Sequence, residues 1–516
     1  MKKFFRKALK GLFSQLTFVC IILLIQIGIF IFLTSSIYSL EIKIVFYIVS
    51  AIVVIYIVNG TYSPSYKLSW VIPILLFPVF GGLLYILLKL QRPRKKSIER
   101  INKIADESAE ALMQNETVEK KLSVQSDHFA SSVKYMNTCA GCSVVQNTAV
   151  TYFPTGEEMW PVLLTELRKA EKYIFIEFFI IGEGEFWNSV LDILAEKAAN
   201  GVDVRVIYDG VGSISTLPHN YNKKLNKLGI KARIFNPFVP LLTVSQNNRD
   251  HRKIVSVDGK VAFNGGINLA DEYVNRIDRF GYWKDTGVML KGDAAYNFTV
   301  MFLQMWQFAD ENKATALDYL AFKPDPLRLP VRENKGYVLP YCDYPIDDEN
   351  VGEFIYLDII NNATDYLYVM TPYLIIDDTM YRALHNASKR GVDVKVIIPQ
   401  NPDHWYAYYV SETYSIDLIK AGIDIYKYSP GFIHAKSIVS DNDVAVVGSI
   451  NFDYRSLYLH YECATWMYKE DAVKDVYDDF VSTLAVCEKM TVEKLRKVNI
   501  FKRLLRVFLK LFAPLM

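Results

Sequence analysis

Hydrophobic positions along this chain change their spacing three times, and each spacing predicts a different kind of element. Toward the N-terminus they run almost unbroken over residues 16–37, 42–58 and 68–90. The first and third runs are long enough to cross a bilayer, and the second is at the lower limit. Farther on, strand-length apolar runs alternate with helix-period stretches. Residues 173–179 read as a strand, a helical run follows to Asn200, and residues 201–209 read as a second strand. The second half repeats this with a strand over 366–373, a helix ending at Arg390 and a strand over 391–399. Strand, helix, strand in each half predicts an α/β fold in two lobes, each with a mainly parallel sheet covered by helices. At the C-terminus Phe501, Leu504, Leu505, Phe508 and Phe512 share one helical face, opposite Lys502, Arg503, Arg506 and Lys510. Such a helix suits the interface of an anionic membrane.

Charge sharpens the N-terminal picture. Lys2, Lys3, Arg6, Lys7 and Lys10 oppose Phe4, Phe5, Ala8, Leu9, Leu12 and Leu16 on a helical wheel, as in a helix lying on an anionic surface. No small-residue cleavage site follows and more hydrophobic segments do, which argues against a removed signal peptide. Basic residues also follow the last segment, at Lys89, Arg92, Arg94, Lys95, Lys96 and Arg100. Both clusters prefer the cytoplasm, whereas three crossings separate them. Two full crossings and one shallow or re-entrant segment, with the catalytic part cytoplasmic, reconcile the two. Overall the 516 residues carry a formal charge of only +2, so bulk electrostatics do not point to nucleic acid.

One short stretch occurs twice. His251-Arg252-Lys253 leads to Asp258, and His434-Ala435-Lys436 leads to Asp441, both as H-x-K-x4-D. Gly265-Gly266-Ile267-Asn268 and Gly448-Ser449-Ile450-Asn451 follow at equal offsets. His and Lys at i and i+2 of a strand share a face. Asp258-Gly259 and Asp441-Asn442-Asp443 are turn signals, so each copy reads as strand, tight turn, strand. The returning Gly-x-x-Asn segment then lies beside the His and Lys.

Two histidines, two lysines and two asparagines converging form a donor-rich pocket suited to a phosphodiester. One His can attack phosphorus while the other moves protons to and from the alcohols. The lysines, Asn268, Ser449 and Asn451 would bind the phosphate oxygens. This chemistry calls for no metal and no cofactor, and neither motif carries carboxylate or thiolate partners at ligand spacing.

These motifs resemble those of the phospholipase D superfamily, and over nearly its whole length the chain resembles the bacterial cardiolipin synthases within it. The resemblance implies a catalytic set of His251, Lys253, Asp258, His434, Lys436 and Asp441. It also implies that an acidic residue downstream of a motif holds the nucleophilic histidine. Glu462, in His460-Tyr461-Glu462, matches that position in the second half, and Asp285, in Tyr282-Trp283-Lys284-Asp285, is the counterpart in the first; an ordinary turn aspartate is the alternative for Asp285. Spacing does not decide which histidine attacks; the resemblance favours His251, with His434 as acid and base.

The implied organisation is a membrane anchor over 1–96, with the basic amphipathic helix and two or three transmembrane segments, and a helical connector over 97–145. Two phospholipase D-like lobes related by a pseudo-twofold follow at 146–330 and 331–490, and then the basic amphipathic helix at 491–516. The implied reaction transfers a phosphatidyl group from one phosphatidylglycerol to another and releases glycerol. The setting is a multi-pass protein of the bacterial cell membrane, without nucleic acid. A phospholipase that hands the same intermediate to water, or a non-catalytic membrane scaffold, is the alternative. Cys139-Ala140-Gly141-Cys142 reads as two reduced thiols, and Cys20, Cys342, Cys463 and Cys487 suggest no disulfide framework. His128, His219, His385, His404 and His460 lack the flanking pattern and read as surface or structural. Tyr373, Asp403 and Arg455 either line the cleft or pack.

Overall fold

A computed structural model of the chain describes residues 39–60, 63–77, 95–238, 246–310, 317–325, 336–347 and 349–515, with Gly28, 81–82 and 85–86 besides. The basic helix expected over 1–16, the hydrophobic run 16–37 (Gly28 apart), and Lys89, Arg92 and Arg94 lie outside the described residues. The chain divides into two units. One comprises Met1–Lys96, Phe238–Asn248 and Leu511–Met516; the other comprises Ser97–Pro237 and Arg249–Lys510.

The first unit holds the helices Ser39–Asn59 and Pro64–Leu76. Ser63 caps the second helix by accepting from Tyr66 N, and Pro64 follows at the first position, where its missing N–H is no loss. Val53, Ile57, Ile74 and Tyr85 are buried together. Ile44, Val45, Ile48, Ile52, Ile55 and Val58 stay exposed. Among the described residues no helix is long and apolar enough to cross a membrane. Of the run expected over 68–90, the Pro64–Leu76 helix covers the first part, and 78–80, 83–84 and 87–90 lie outside the described residues.

The second unit holds two sheets of matching design. The first contains β1 (Thr148–Phe153), β2 (Tyr173–Phe178), β3 (Asp203–Asp209), β4 (Lys231–Phe235), β5 (Lys253–Val257), β6 (Val261–Gly265) and β8 (Gly287–Gly292), in the order β1-β8-β6-β5-β2-β3-β4. The strand β7 (Tyr282–Lys284) stands apart. The second contains β9 (Tyr337–Asp343), β10 (Tyr366–Met370), β12 (Asp393–Pro399), β13 (Asp424–Tyr428), β15 (Ser437–Ser440), β16 (Val444–Gly448), β18 (Glu462–Tyr468) and β19 (Cys487–Lys489). Its order is β19-β13-β12-β10-β15-β16-β18-β9. The short strands β11 (Leu374–Ile375), β14 (Gly431–Ile433) and β17 (Phe452–Asp453) lie outside it. Strand for strand, β1, β8, β6, β5, β2, β3 and β4 correspond to β9, β18, β16, β15, β10, β12 and β13, so the sequence repeat is a structural repeat.

The sheets are mixed, which corrects the mainly parallel expectation. Only β2-β3-β4 and β10-β12-β13 run parallel, linked through helices such as Glu185–Ala199 and Asp378–Lys389. The motif strands β5-β6 and β15-β16 are antiparallel hairpins, because a tight turn can join strands only that way. Their turns put Asp258 at φ +53° and Gly259 at +67°, and Asp441 at +56° and Asn442 at +57°. Asp, Asn and Gly tolerate this left-handed backbone better than other residues do.

The helix Asp293–Phe308 is buried from Ala294 through Gln307 and packs against β5, β6 and β8 of one sheet and β9 of the other. Its polar side chains are satisfied inside, Asn297 by Ser143 O and Gln304 by Ser108 Oγ. The helices Lys95–Ser108, Glu116–Gln125 and Asp127–Ala140 bury Ile101, Ile104, Leu122, Val133 and Met136, so the expected connector packs as part of the second unit. Cys139, Cys142, Cys342, Cys463 and Cys487 are free thiols.

Candidate active site

The segment before each motif histidine leaves its own lobe and pairs with the other. His251 N donates to Tyr461 O at 2.9 Å and Tyr461 N to Arg249 O at 2.9 Å, a parallel bridge between Asp250 and Tyr461. In the other half β14 pairs in parallel with β7, and His434 N donates to Lys284 O at 2.7 Å. Tyr461 and Lys284 are the residues before Glu462 and Asp285. Each crossing therefore delivers a histidine to a carboxylate from the opposite half.

That is the geometry found. His251 Nδ1 lies 2.9 and 3.1 Å from the two Glu462 oxygens, and His434 Nδ1 lies 2.6 Å from Asp285 Oδ2. The expectation had placed each carboxylate with the histidine of its own motif; the structure exchanges them. A carboxylate accepts only, so Nδ1 carries the proton in both rings and Nε2 keeps its lone pair. Lys436 Nζ also lies 2.8 Å from His434 Nδ1, but donates to His434 O. Lys253 donates likewise to His251 O.

The Gly-x-x-Asn segments complete the two half-sites differently. A Cβ on Gly266 would meet Asp285 Oδ1 at 2.1 Å and Lys436 Cδ at 3.1 Å, so glycine there lets both side chains reach His434. Ser449 holds the equivalent position, and its hydroxyl donates to Glu462 Oε2. This corrects its assignment to phosphate, because the one hydroxyl proton is already committed. Asn268 Oδ1 accepts from Ile180 N at 3.0 Å, and its buried Nδ2, which makes no close bond among the described residues and interacts with the Tyr273 hydroxyl, can turn to an anion. Asn451 is buried with Oδ1 unpaired and its side chain bonded to Asp453.

Asp258 and Asp441 stand outside the site, a second correction. Each is at the turn end of its hairpin, five and seven residues from the motif Lys and His, about 16–23 Å along an extended strand. Asp258 accepts from the backbone N–H of Glu171, Lys172 and Tyr173, each at 2.8 Å. Asp441 accepts from those of Thr364, Asp365 and Tyr366 at 2.7 to 3.0 Å. Both carboxylates tie the motif hairpin to the start of the neighbouring strand.

Burial governs the electrostatics. Desolvation, then Lys253, Lys436 and His434, push His251 well below the usual imidazole range. Desolvation and Lys436 lower His434 to about 4, with Asp285 pulling the other way. Both rings are neutral near pH 7. Desolvation also lowers Lys253 to about 8 and Lys436 to about 7. Near pH 7 Lys253 is thus mostly charged and Lys436 about half charged, and an entering phosphodiester anion favours the charged form of both.

Several neighbours gave no sequence signal. Phe179 meets the His251 ring edge-on at 5.1 Å, and Tyr273, Trp283 and Phe432 surround His434 at 5.2 to 5.8 Å. Below the first motif Arg252 is fully buried, with Nε 2.6 Å from Glu177 Oε1 and 3.7 Å from Asp250 Oδ1. His460, expected to be surface or structural, is buried beside the site, its ring centroid 5.4 Å from that of His251. Neither of its ring nitrogens has a hydrogen-bond partner, and Nδ1 is 3.7 Å from Glu462. His251, His460 and Glu462 offer ligand atoms within 4.8 Å of one another, a group the sequence reading did not foresee. Lys253 and Lys436 set positive charge against His251 and so oppose a divalent ion there. Tyr373 donates to Asp403, and Arg455 is half-buried near His460 with its Nε unpaired.

The two-lobed arrangement with a duplicated H-x-K hairpin defines a phospholipase D-like protein. It aligns with phosphatidylserine synthase of Haemophilus influenzae at a TM-score of 0.57 and 14% identity, covering 75% of this chain and 98% of that one. At that identity the likeness is one of fold. The family described as "Cardiolipin synthase, PLD-like domain" matches residues 163–306 and 356–484, and "Phospholipase_D-nuclease N-terminal" matches 45–89. An uncharacterised protein of Streptococcus mutans serotype c is 44% identical over 463 residues, 90% of this chain and 99% of that one. "Cardiolipin synthase 2" of Bacillus anthracis is 30% identical over 88% of this chain and 87% of its own. The chain belongs to the cardiolipin synthase family of the phospholipase D superfamily, and is an enzyme of the phosphatidyltransferase class.

Proposed function

We propose that this enzyme makes cardiolipin from two molecules of phosphatidylglycerol through a covalent phosphatidyl-histidine. The observation that carries the reading is the crossed pair of neutral imidazoles, each held at Nδ1 by a carboxylate from the other lobe, with both lysines beside them. His251 Nε2 attacks the phosphorus of the first phosphatidylglycerol, the P–O bond to glycerol breaks, and His434 gives its proton to the departing alkoxide. A phosphodiester anion entering beside His434 raises its proton affinity and so supplies that protonated form. The glycerol hydroxyl of a second phosphatidylglycerol then loses its proton to His434 and attacks phosphorus, which breaks the P–N bond and frees His251. Lys253, Lys436 and Nδ2 of Asn268 bind the equatorial oxygens. Glu462 and Asp285 fix the tautomers and stabilise the charged rings. His251 is taken as the nucleophile from the family resemblance; the two lysines disfavour the charged form of both rings, and Asp285 favours the protonated His434 that the acid role needs.

The protein works as a multi-pass component of the bacterial cell membrane, with its lobes toward the cytoplasm. The exposed apolar side chains of the Ser39–Asn59 helix and the family match over 45–89 support this. The test is a product analysis of full-length protein in detergent with phosphatidylglycerol as sole phospholipid. Cardiolipin with equimolar glycerol is the expected result. Phosphatidic acid alone would make water the acceptor and overturn the transferase reading.

A further inference from the structure

The C-terminal helix Ile500–Leu511 is oriented opposite to an ordinary surface helix. Two of its basic residues, Arg506 and Lys510, turn inward: Arg506 is buried, with Nη1 2.6 Å from Leu495 O and Nη2 on the Glu412 carboxylate. Glu412 is itself buried and takes Lys427 Nζ at 2.6 Å, and Lys510 Nζ lies 2.7 Å from Asp417 Oδ2. Its apolar residues turn outward, with Ile500, Phe501, Leu504 and Val507 exposed by 61, 79, 60 and 63%. Lys502 and Arg503 are exposed beside them and form no ion pair among the described residues. A polar face bonded to the protein and an apolar face flanked by free cations is the pattern of an interfacial helix.

This face is connected to the catalytic site through the helix Trp405–Ala421. Arg506 meets that helix at Tyr409 and Glu412, and Lys510 meets it at Tyr414 and Asp417. The two helices therefore run in the same direction, and Ile500 and Phe501 lie toward the Trp405 end. Trp405 is 56% exposed. Two residues before it Asp403 accepts from Tyr373, and Asn401 N donates to Gly431 O at 3.3 Å, three residues before His434.

We propose that the Ile500–Leu511 helix and the Trp405 end of its neighbour form one face that sits at the headgroup level of an anionic bilayer. That seating presents the His434 side of the site to lipid. The proposal rests on the phospholipid reading above. The exposed Lys502 and Arg503 match anionic headgroups, and an exposed Trp favours the membrane–water boundary.

The experiment uses full-length protein in phosphatidylcholine vesicles with and without phosphatidylglycerol. Quenching by lipids brominated near the headgroup is compared between wild type and Trp405→Phe. Turnover of Leu504→Glu/Val507→Glu is measured on vesicle phosphatidylglycerol and on short-chain phosphatidylglycerol in detergent. The expected result is quenching that is weaker in Trp405→Phe, where the contribution of Trp70 in the Pro64–Leu76 helix remains, with vesicle turnover down about tenfold and detergent turnover within about twofold. Identical quenching in the two proteins overturns the proposal. So does an equal loss in both assays, which would make the face part of the folded body, or a dimer that the double variant abolishes. If wild type makes no cardiolipin in either format, the substrate reading fails, and quenching alone decides the face.

Discussion

Replacing Asp258 by Ala should destabilise the enzyme without disabling its chemistry, although Asp258 belongs to the repeated H-x-K-x4-D motif. Its carboxylate is buried and accepts three backbone N–H groups at 2.8 Å. A hydrogen bond to a charged group contributes about 1.5–3 kcal/mol, but water replaces those of the exposed Glu171 and Lys172. The Tyr173 N–H is buried and would be orphaned at about 1–3 kcal/mol, giving a total of about 2–4 kcal/mol. Asp441 makes the same contacts in a half-buried turn, so Asp441→Ala should destabilise by about 1–2 kcal/mol. In a unit of this size these values correspond to Tm losses of about 2–5 °C and about 1–2 °C. The assay is thermal unfolding of detergent-solubilised protein followed by tryptophan fluorescence, with kcat/KM measured well below both midpoints. An unchanged Tm with turnover abolished would refute the reasoning and return Asp258 to the reacting groups. Equal Tm losses at the two positions would refute its weighting by burial.

Four further outcomes are expected. His251→Ala and His434→Ala should each reduce turnover at least about a thousandfold, and acid-quenched mass spectrometry should place the phosphatidyl adduct on His251; an adduct on His434 would exchange the roles. Glu462→Gln should lower kcat about a hundredfold or more, with KM little changed, because the amide leaves the imidazole tautomer unfixed; a pure KM effect would contradict a tautomer-fixing role. Lys436, lowered to about 7, loses its charge as pH rises, so kcat/KM should fall above about pH 7, and Lys436→Arg should move that limb upward even at a lower rate. Arg252→Ala removes the cation beside the buried Glu177 and Asp250 carboxyls and should destabilise by about 3–5 kcal/mol, read as loss of monodisperse protein.

Local chemistry made much of this enzyme legible from its sequence alone. The duplicated H-x-K with equal offsets to Gly and Asn reflects two hairpins of equal length, and the register of a short antiparallel pair is set by its turn. The strand-helix-strand units at 173–209 and 366–399 followed from apolar spacing for the same reason. The parallel expectation failed at the motif hairpins, where a tight turn overrides the crossover pattern. The long-range pairings belong to tertiary structure. Glu462 is 211 residues from His251, and Asp285 is 149 from His434. No local spacing encodes that exchange; it follows from the parallel bridges at Asp250–Tyr461 and β14–β7, which carry each histidine into the other lobe. The same distance hid His460 and Arg252, whose surroundings are assembled from both halves. Within each lobe, strand pairing that no single element encodes hid the structural work of Asp258 and Asp441 and the engagement of Ser449 by Glu462. A sequence specifies which groups are available and how they alternate along an element; which buried donor meets which acceptor is settled only when the two lobes close on each other.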